Sequence, residues 1–287
     1  GTGVDATTYN ITDIESNGLT PSAGTPVEAD GLGALEISDD AWTNTTALPV
    51  DVVYTIVPVA GTCEGTAFTV TVTVTPEPVY NNSTPTRCSD ELVGINLSTL
   101  KVGTSVVATA FNITDIESNG LTPSAGTPVE ADGLGTLEIS DDSWTNTTAS
   151  PVDVVYTIVP VNGTCEGAAF TVTVTVNPEP VYDDATPTVC SDEVLNVDLG
   201  ALKNGTGVTA TGFDITINDN GLTPSAGSPA DGLNLGPLEI MNDSWRNTTA
   251  NPVDVEYTIV PLNGTCEGTT FTVIVTVEPE PVYDSET

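Results

Sequence analysis

The 287-residue sequence predicts an all-β chain of tandem antiparallel β-sandwiches, and three observations carry that prediction. Segments such as Phe68-Thr-Val-Thr-Val-Thr-Val74 alternate apolar and polar residues strictly, which places one set of side chains on each face of a strand. No run sets apolar residues at helical spacing, and Asn-Gly, Asp-Gly and Pro-Ser-Ala-Gly stretches break the chain between alternating segments. The sequence also copies itself nearly verbatim, with Trp42, Trp144 and Trp245 marking a period of about 100 residues. That period exceeds a solenoid unit and suits an independently folding sandwich.

The elements of one repeat follow in order. The segment that opens at Tyr9-Asn-Ile-Thr-Asp-Ile returns at Phe111, with Tyr replaced by Phe, and ends each time in Asn-Gly. Leu19-Thr-Pro-Ser-Ala-Gly24 recurs at 121–126 and 222–227 as turn chemistry. Val50-Asp-Val-Val-Tyr-Thr-Ile-Val57 and the Phe68 segment flank a loop, Gly61-Thr-Cys-Glu-Gly65, so the two strands form a hairpin. Residues 170–176 and 271–277 copy its second strand. Pro76-Glu-Pro78, Pro178-Glu-Pro180 and Pro279-Glu-Pro281 end that strand as short stiff linkers, because proline cannot donate to a ladder. The expected domains are therefore 1–80, 81–182 and 183–287, with the first lacking the residues that open the others, 81–101 and 183–203.

Charge excludes several functions. Forty Asp and Glu against four Lys and Arg give a net charge of -36, which repels nucleic acid and anionic lipid. With no His, the commonest general base and the commonest zinc ligand are missing. No apolar run is long enough to span a membrane, and no signal-peptide pattern follows residue 1. An enzyme is not expected.

The hairpin Tyr-Thr-Ile-Val-Pro-(Val/Leu)-x-Gly-Thr-Cys-Glu-Gly, the alternating Val and Thr after it, Pro-Glu-Pro-Val and Cys-Ser-Asp-Glu together resemble the PKD-like or Ig-like tandem repeats of giant Bacteroidota surface proteins, of the gliding-motility adhesin SprB type. The resemblance covers every repeat. It implies an extracellular, cell-surface location, a secreted filament or stalk arranged as an elongated rod, and no catalysis. The repeats would space an adhesive region from the cell, and the surface or glycan ligand would bind through regions outside this chain. Neighbouring repeats are the expected partners. A filament or surface-layer subunit completed by strand exchange with other copies, and a glycan-binding repeat, are the alternatives.

Site expectations follow from the residues. Five cysteines in an acidic chain point to disulfides in an oxidising compartment. If each unit is entered at one end and left at the other, the hairpin loop lies beside the unit's start. This predicts Cys88 with Cys165 and Cys190 with Cys266, leaving Cys63 single because its partner position precedes residue 1. No cofactor is expected beyond weak calcium, for which Glu28-Ala-Asp-Gly31 and Glu130-Ala-Asp-Gly133 offer oxygens near turns. The pairs Asp39-Asp40, Asp141-Asp142 and Asp192-Glu193 read as solvated surface, and the tryptophans as core. Lys101 and Lys203 occupy equivalent positions and read as solvated, with an isopeptide bond as the sharper alternative. Asn44, Asn146 and Asn247 keep an Asn-x-Thr sequon in every repeat and are the candidate glycosylation sites.

Overall fold

A computed structural model describes residues 4–281, so the last six residues of the expected third domain lie outside the described residues. Strands and two short 3-10 turns make up its regular structure, in three successive sandwich-like units. The second repeat gives the plan. Its main sheet runs in the order Ala131–Leu134, Ala110–Glu117, Val152–Asn162, Phe170–Asn177, Thr86–Cys88, and Cys165–Glu166 also pairs with Val152–Asn162. Thr122–Ala125 and Ser143–Thr145 form a two-stranded ribbon. All these pairs are antiparallel except that of Thr86–Cys88, which runs parallel to the return strand Phe170–Asn177.

Alternation fixes the core face. Phe170, Val172, Val174 and Val176 are buried while the residues between them are half-buried, as a strand with one face on the core requires. Tyr80, Phe111 and Phe170 pack with ring centroids 5.2 Å and 5.4 Å from Tyr80, close to the edge-to-face and stacked geometries that aromatic quadrupoles favour. The third repeat reproduces the trio with Tyr182, Phe213 and Phe271.

A polar chain runs through each core. Trp144 Nε1 donates to the Tyr156 hydroxyl at 2.9 Å, and that hydroxyl donates to Asp142 at 2.9 Å. Trp42, Tyr54 and Asp40 repeat the chain, as do Trp245, Tyr257 and Asp243. Trp144 and Trp245 are buried, and each keeps its one donor satisfied. Burial pushes the carboxyls of Asp142 and Asp243 up to about 6, with nearby carboxylates adding to the rise and the hydrogen bonds from the Tyr156 and Tyr257 hydroxyls opposing it.

The first repeat has the same sheet in the order Ala29–Leu32, Thr8–Glu15, Val50–Ala60, with Phe68–Val74 and Cys63–Glu64 both on Val50–Ala60. Among the described residues no strand pairs the outer edge of Phe68–Val74. The loss is visible in the core: Phe68 is 43% exposed where its equivalent Phe170 is 2% exposed.

Candidate functional site at the joints between repeats

The features that recur where repeats meet form the candidate site. Each return strand leads into Pro-Glu-Pro, and the glutamate N–H of that linker is fastened back to its own repeat. Glu77, Glu179 and Glu280 donate to the carbonyls of Asn44, Asn146 and Asn247 at 2.9, 3.0 and 3.1 Å. Two residues past the linker the chain is already in the next core, at Tyr80 and Tyr182. The linkers are thus seated segments rather than free spacers.

The asparagines that hold them are the proposed glycosylation sites, and the structure corrects that reading. Asn44, Asn146 and Asn247 are buried. The Nδ2 of Asn146 donates to the carbonyls of Ser150 and Val176, and its Oδ1 accepts from the N–H and hydroxyl of Thr148. Asn44 and Asn247 make the same four bonds. The nitrogen that a glycan would need is buried with both its protons engaged, so the sequon is a clamp on the end of the return strand.

The disulfide pairing is also corrected. The bond joins Cys88 to Cys266, with Cα atoms 5.3 Å apart and 178 residues between them in sequence, while Cys63, Cys165 and Cys190 are free thiols. Cys88 does not meet Cys165, nor Cys190 meet Cys266, because being early in the repeat does not put a residue at its leading end. Residues 81–88 run parallel to the return strand, with Ser83 beside Val172, Thr86 beside Thr175 and Cys88 beside Asn177. Eight extended residues cover about 26 Å, so Cys88 has reached the trailing end of the second repeat. Cys165, in the hairpin loop, sits at the leading end. Cys266 occupies the leading end of the third repeat and so faces Cys88 across the joint.

A glycine completes each joint. In Cys165-Glu166-Gly167 a Cβ on Gly167 would run into the carbonyl oxygen of Pro78, and one on Gly268 into that of Pro180. Only a residue without a side chain lets the hairpin close on the linker. Asn263 Nδ2 adds a bond to Pro178 O at 3.2 Å. The side chain of Glu179 is buried, and its carboxyl is pushed up to about 7, by burial first and then by the charge of Asp90, which also hydrogen-bonds it. The signal for these glycines was in the sequence, since Cys-Glu-Gly recurs in all three hairpins. The Glu179–Asp90 contact had none, because the two lie 89 residues apart and meet only through the fold.

The remaining acidic groups have structural partners. Glu28 and Glu130 accept from the N–H groups of Ile14 and Ile116 at 3.2 and 3.1 Å, bracing neighbouring strands. Asp40 and Asp142 belong to the buried Trp-Tyr-Asp chains, so those two pairs are not wholly solvated surface. Asp192 pairs with Arg246 at 3.3 Å, and Glu193 accepts from Cys190 N–H. Among the described residues no three His, Cys, Asp or Glu side chains gather as a metal-ligand set. Lys101 donates to the carbonyls of Gly103 and Ser105, and Lys203 to that of Gly205. Among the described residues no helix is long and apolar enough to cross a membrane.

The PKD-like domain family matches residues 27–78, 85–180 and 187–281, which is more than half of the chain. The chain belongs to the PKD-like domain family. These PKD-like repeats agree with the resemblance carried by the hairpin and linker. No curated protein shows significant similarity to the sequence. Among solved structures, chicken CNTN1 FN1–FN3 is similar at 11% identity over 97% of this chain and 92% of that one, with a TM-score of 0.32. Human CDH23 EC21–23 is similar at 10% identity over 94% and 88%, with a TM-score of 0.32. Mouse protocadherin PcdhgC3 EC1–3 is similar at 10% identity over 88% and 82%, with a TM-score of 0.27.

Proposed function

We propose that the chain is a non-catalytic stalk region of a secreted, cell-surface adhesin of the gliding-motility type, whose PKD-like repeats hold an adhesive region away from the cell. The observation that carries this reading is the joint. Successive repeats are fastened end to end by a seated linker, a glycine contact and, once, a cystine, and a spacer needs such joints where a catalyst does not. Near-identical copying of the loops, as in Leu19-Thr-Pro-Ser-Ala-Gly24 and its two repeats, also suits a spacer better than a diversified recognition surface. The acid coat, screened beyond about 8 Å at physiological salt, keeps neighbouring stalks apart.

Small-angle scattering of the purified chain tests the reading. A sandwich built on strands of about eleven residues is about 35–40 Å long, so three in line should span on the order of 100–130 Å. A maximum dimension near half that value would overturn the stalk. Protease shaving of intact cells that produce the protein tests the location: release of repeat fragments is expected, and full protection would count against a surface position.

A further inference from the structure

At the joint between the second and third repeats a trailing loop, a linker and the next hairpin meet. The loop 88–91 is tied to its own repeat: Ser89 N–H donates to Asn177 O at 2.9 Å, Asp90 N–H to Trp144 O at 3.0 Å, and the Ser89 hydroxyl accepts from Asn146 N–H at 2.8 Å. Glu179 of the linker donates its N–H to Asn146 O at 3.0 Å. The hairpin of the third repeat touches both segments, since Asn263 Nδ2 donates to Pro178 O, Gly268 lies against Pro180 O and Cys266 is bonded to Cys88. Cys266 is buried and Cys88 half-buried, so the seated hairpin covers much of the disulfide. Lifting the hairpin opens that bond to thiols and other reductants, whose attack depends on access.

Under the hairpin sits an acid pair with no cation. The buried Glu179 carboxyl hydrogen-bonds Asp90 and Ser89. A hydrogen bond between two carboxyls needs a proton, because two carboxylates offer only acceptors and repel each other. Asp90 is exposed, so that proton exchanges with solvent. Around the pair, Glu91 accepts from Cys88 N–H and lies 3.9 Å from Arg87, Glu267 beside Cys266 is exposed, and the Thr145 hydroxyl donates to Asp90 at 2.6 Å. All four Lys and Arg side chains are engaged elsewhere. Arg87 donates to the carbonyls of Thr86, Leu92 and Val93, Lys101 to those of Gly103 and Ser105, Lys203 to that of Gly205, and Arg246 to Asp192. The third repeat shows what is missing: Arg246 stands where the second repeat has Thr145, 3.3 Å from Asp192 and within reach of the charge of Glu280.

We propose that this joint is a proton-operated clasp on the Cys88–Cys266 bond: the proton shared by Glu179 and Asp90 keeps the hairpin seated, and its loss unseats the hairpin and opens the disulfide to reduction. Without the proton two carboxylates face each other beneath the hairpin, and lifting it returns Glu179 to water. Burial and then Asp90 raise the Glu179 carboxyl to about 7 in the closed joint, above its open value. Closure is therefore favoured below that pH and weakens as pH rises through it. The clasp stands apart from the stalk reading, since it governs one joint whatever the repeats present.

The test follows reduction of the oxidised 287-residue protein by a water-soluble phosphine, after the free thiols Cys63, Cys165 and Cys190 have been alkylated. The phosphine takes up an oxygen from water while the disulfide gains two electrons and two protons and becomes two thiols, which a second alkylating label counts by mass. Rates are compared as the ratio of parent to Glu179→Gln at each pH, which cancels the reagent's own pH dependence. That ratio should rise about tenfold between about pH 5.5 and pH 8. Thr145→Arg, which supplies the cation found in the third repeat, should slow reduction several-fold relative to the parent at pH 8 with the far-ultraviolet circular dichroism unchanged. This variant reads the clasp even where Glu179→Gln disturbs the fold. A ratio that stays flat or falls with pH, or a Thr145→Arg protein reduced as fast as the parent at pH 8, would overturn the proposal.

Discussion

Asn247 shows how much one side chain holds at the end of a repeat. It makes four hydrogen bonds and is 0% exposed. Asn247→Ala takes a partner from two carbonyls, the Thr249 N–H and the Thr249 hydroxyl, and should cost about 2–3 kcal/mol, a fall of roughly 10 °C or more in the melting of the third repeat. An unchanged melt would remove the clamp. The sequence contained the Asn-x-Thr pattern but not its burial, since the same three residues suit a surface acceptor and an internal clamp alike. Acid titration is the second residue-scale consequence. Asp142 and Asp243 at about 6 and Glu179 at about 7 all lie above their unfolded values. The folded chain therefore binds these protons more tightly, so the stability they contribute is full below about pH 4 and is lost as pH rises through 6 to 7. Among the described residues, the exposed Asp192, held low by Ser225 and Arg246, works in the opposite sense. Melting should be higher at pH 5 than at pH 8. Glu179→Gln, which mimics the protonated side chain, should melt above the parent at pH 8 and level with it at pH 5. General carboxylate repulsion also favours acid pH, so it is the mutant difference that isolates Glu179, and a parent that melts higher at pH 8 would refute the assignment.

Elements explain both what was legible and what was not. Strict Val-Thr alternation, Gly-rich hairpin loops and proline stops mark strands by local chemistry, and the hairpin of Val152–Asn162 with Phe170–Asn177 forms as the spacing predicts. The run 81–88 gave no such signal. Asn-Asn-Ser-Thr-Pro-Thr-Arg-Cys has no apolar alternation, and its ordering comes from parallel pairing with a strand about 90 residues later, which tertiary context alone supplies. Missing that traverse placed Cys88 at the wrong end of its repeat, and both expected disulfides failed with it. The hairpin glycines make a prediction at this scale. Gly268→Ala puts a methyl against the Pro180 carbonyl, so the third repeat should keep its strands while its hairpin is pushed off the linker. In a glutathione buffer the fraction of chains carrying the Cys88–Cys266 bond should fall well below that of the parent, with the far-ultraviolet circular dichroism unchanged. Equal bond formation in the two proteins would mean that the close approach is not what aligns the cysteines.

At the scale of the whole molecule, the corrected disulfide changes how the chain carries force. A bond within each repeat would have stapled one sandwich. The Cys88–Cys266 bond instead ties the trailing end of the second repeat to the leading end of the third, and closes a loop that contains most of both. Tension entering at residue 81 runs down the edge segment to Cys88, crosses the cystine to Cys266 and leaves along the return strand Phe271–Glu278. The intervening stretch, a separation of 178 residues, lies off that path. Even if both repeats lose their packing, it cannot be drawn out while the bond holds. At about 3.3–3.6 Å per extended residue the hidden length is roughly 600 Å. Stretching single molecules by their ends should therefore give a final contour length shorter by about that amount in the oxidised protein than in the reduced one. Cys88→Ser should behave like the reduced protein under both conditions, whereas Cys165→Ser should keep the oxidised behaviour. If oxidised and reduced molecules extend to the same length, or if Cys165→Ser lengthens the oxidised chain, the force does not bypass the second and third repeats and the cystine is not the joint through which it passes.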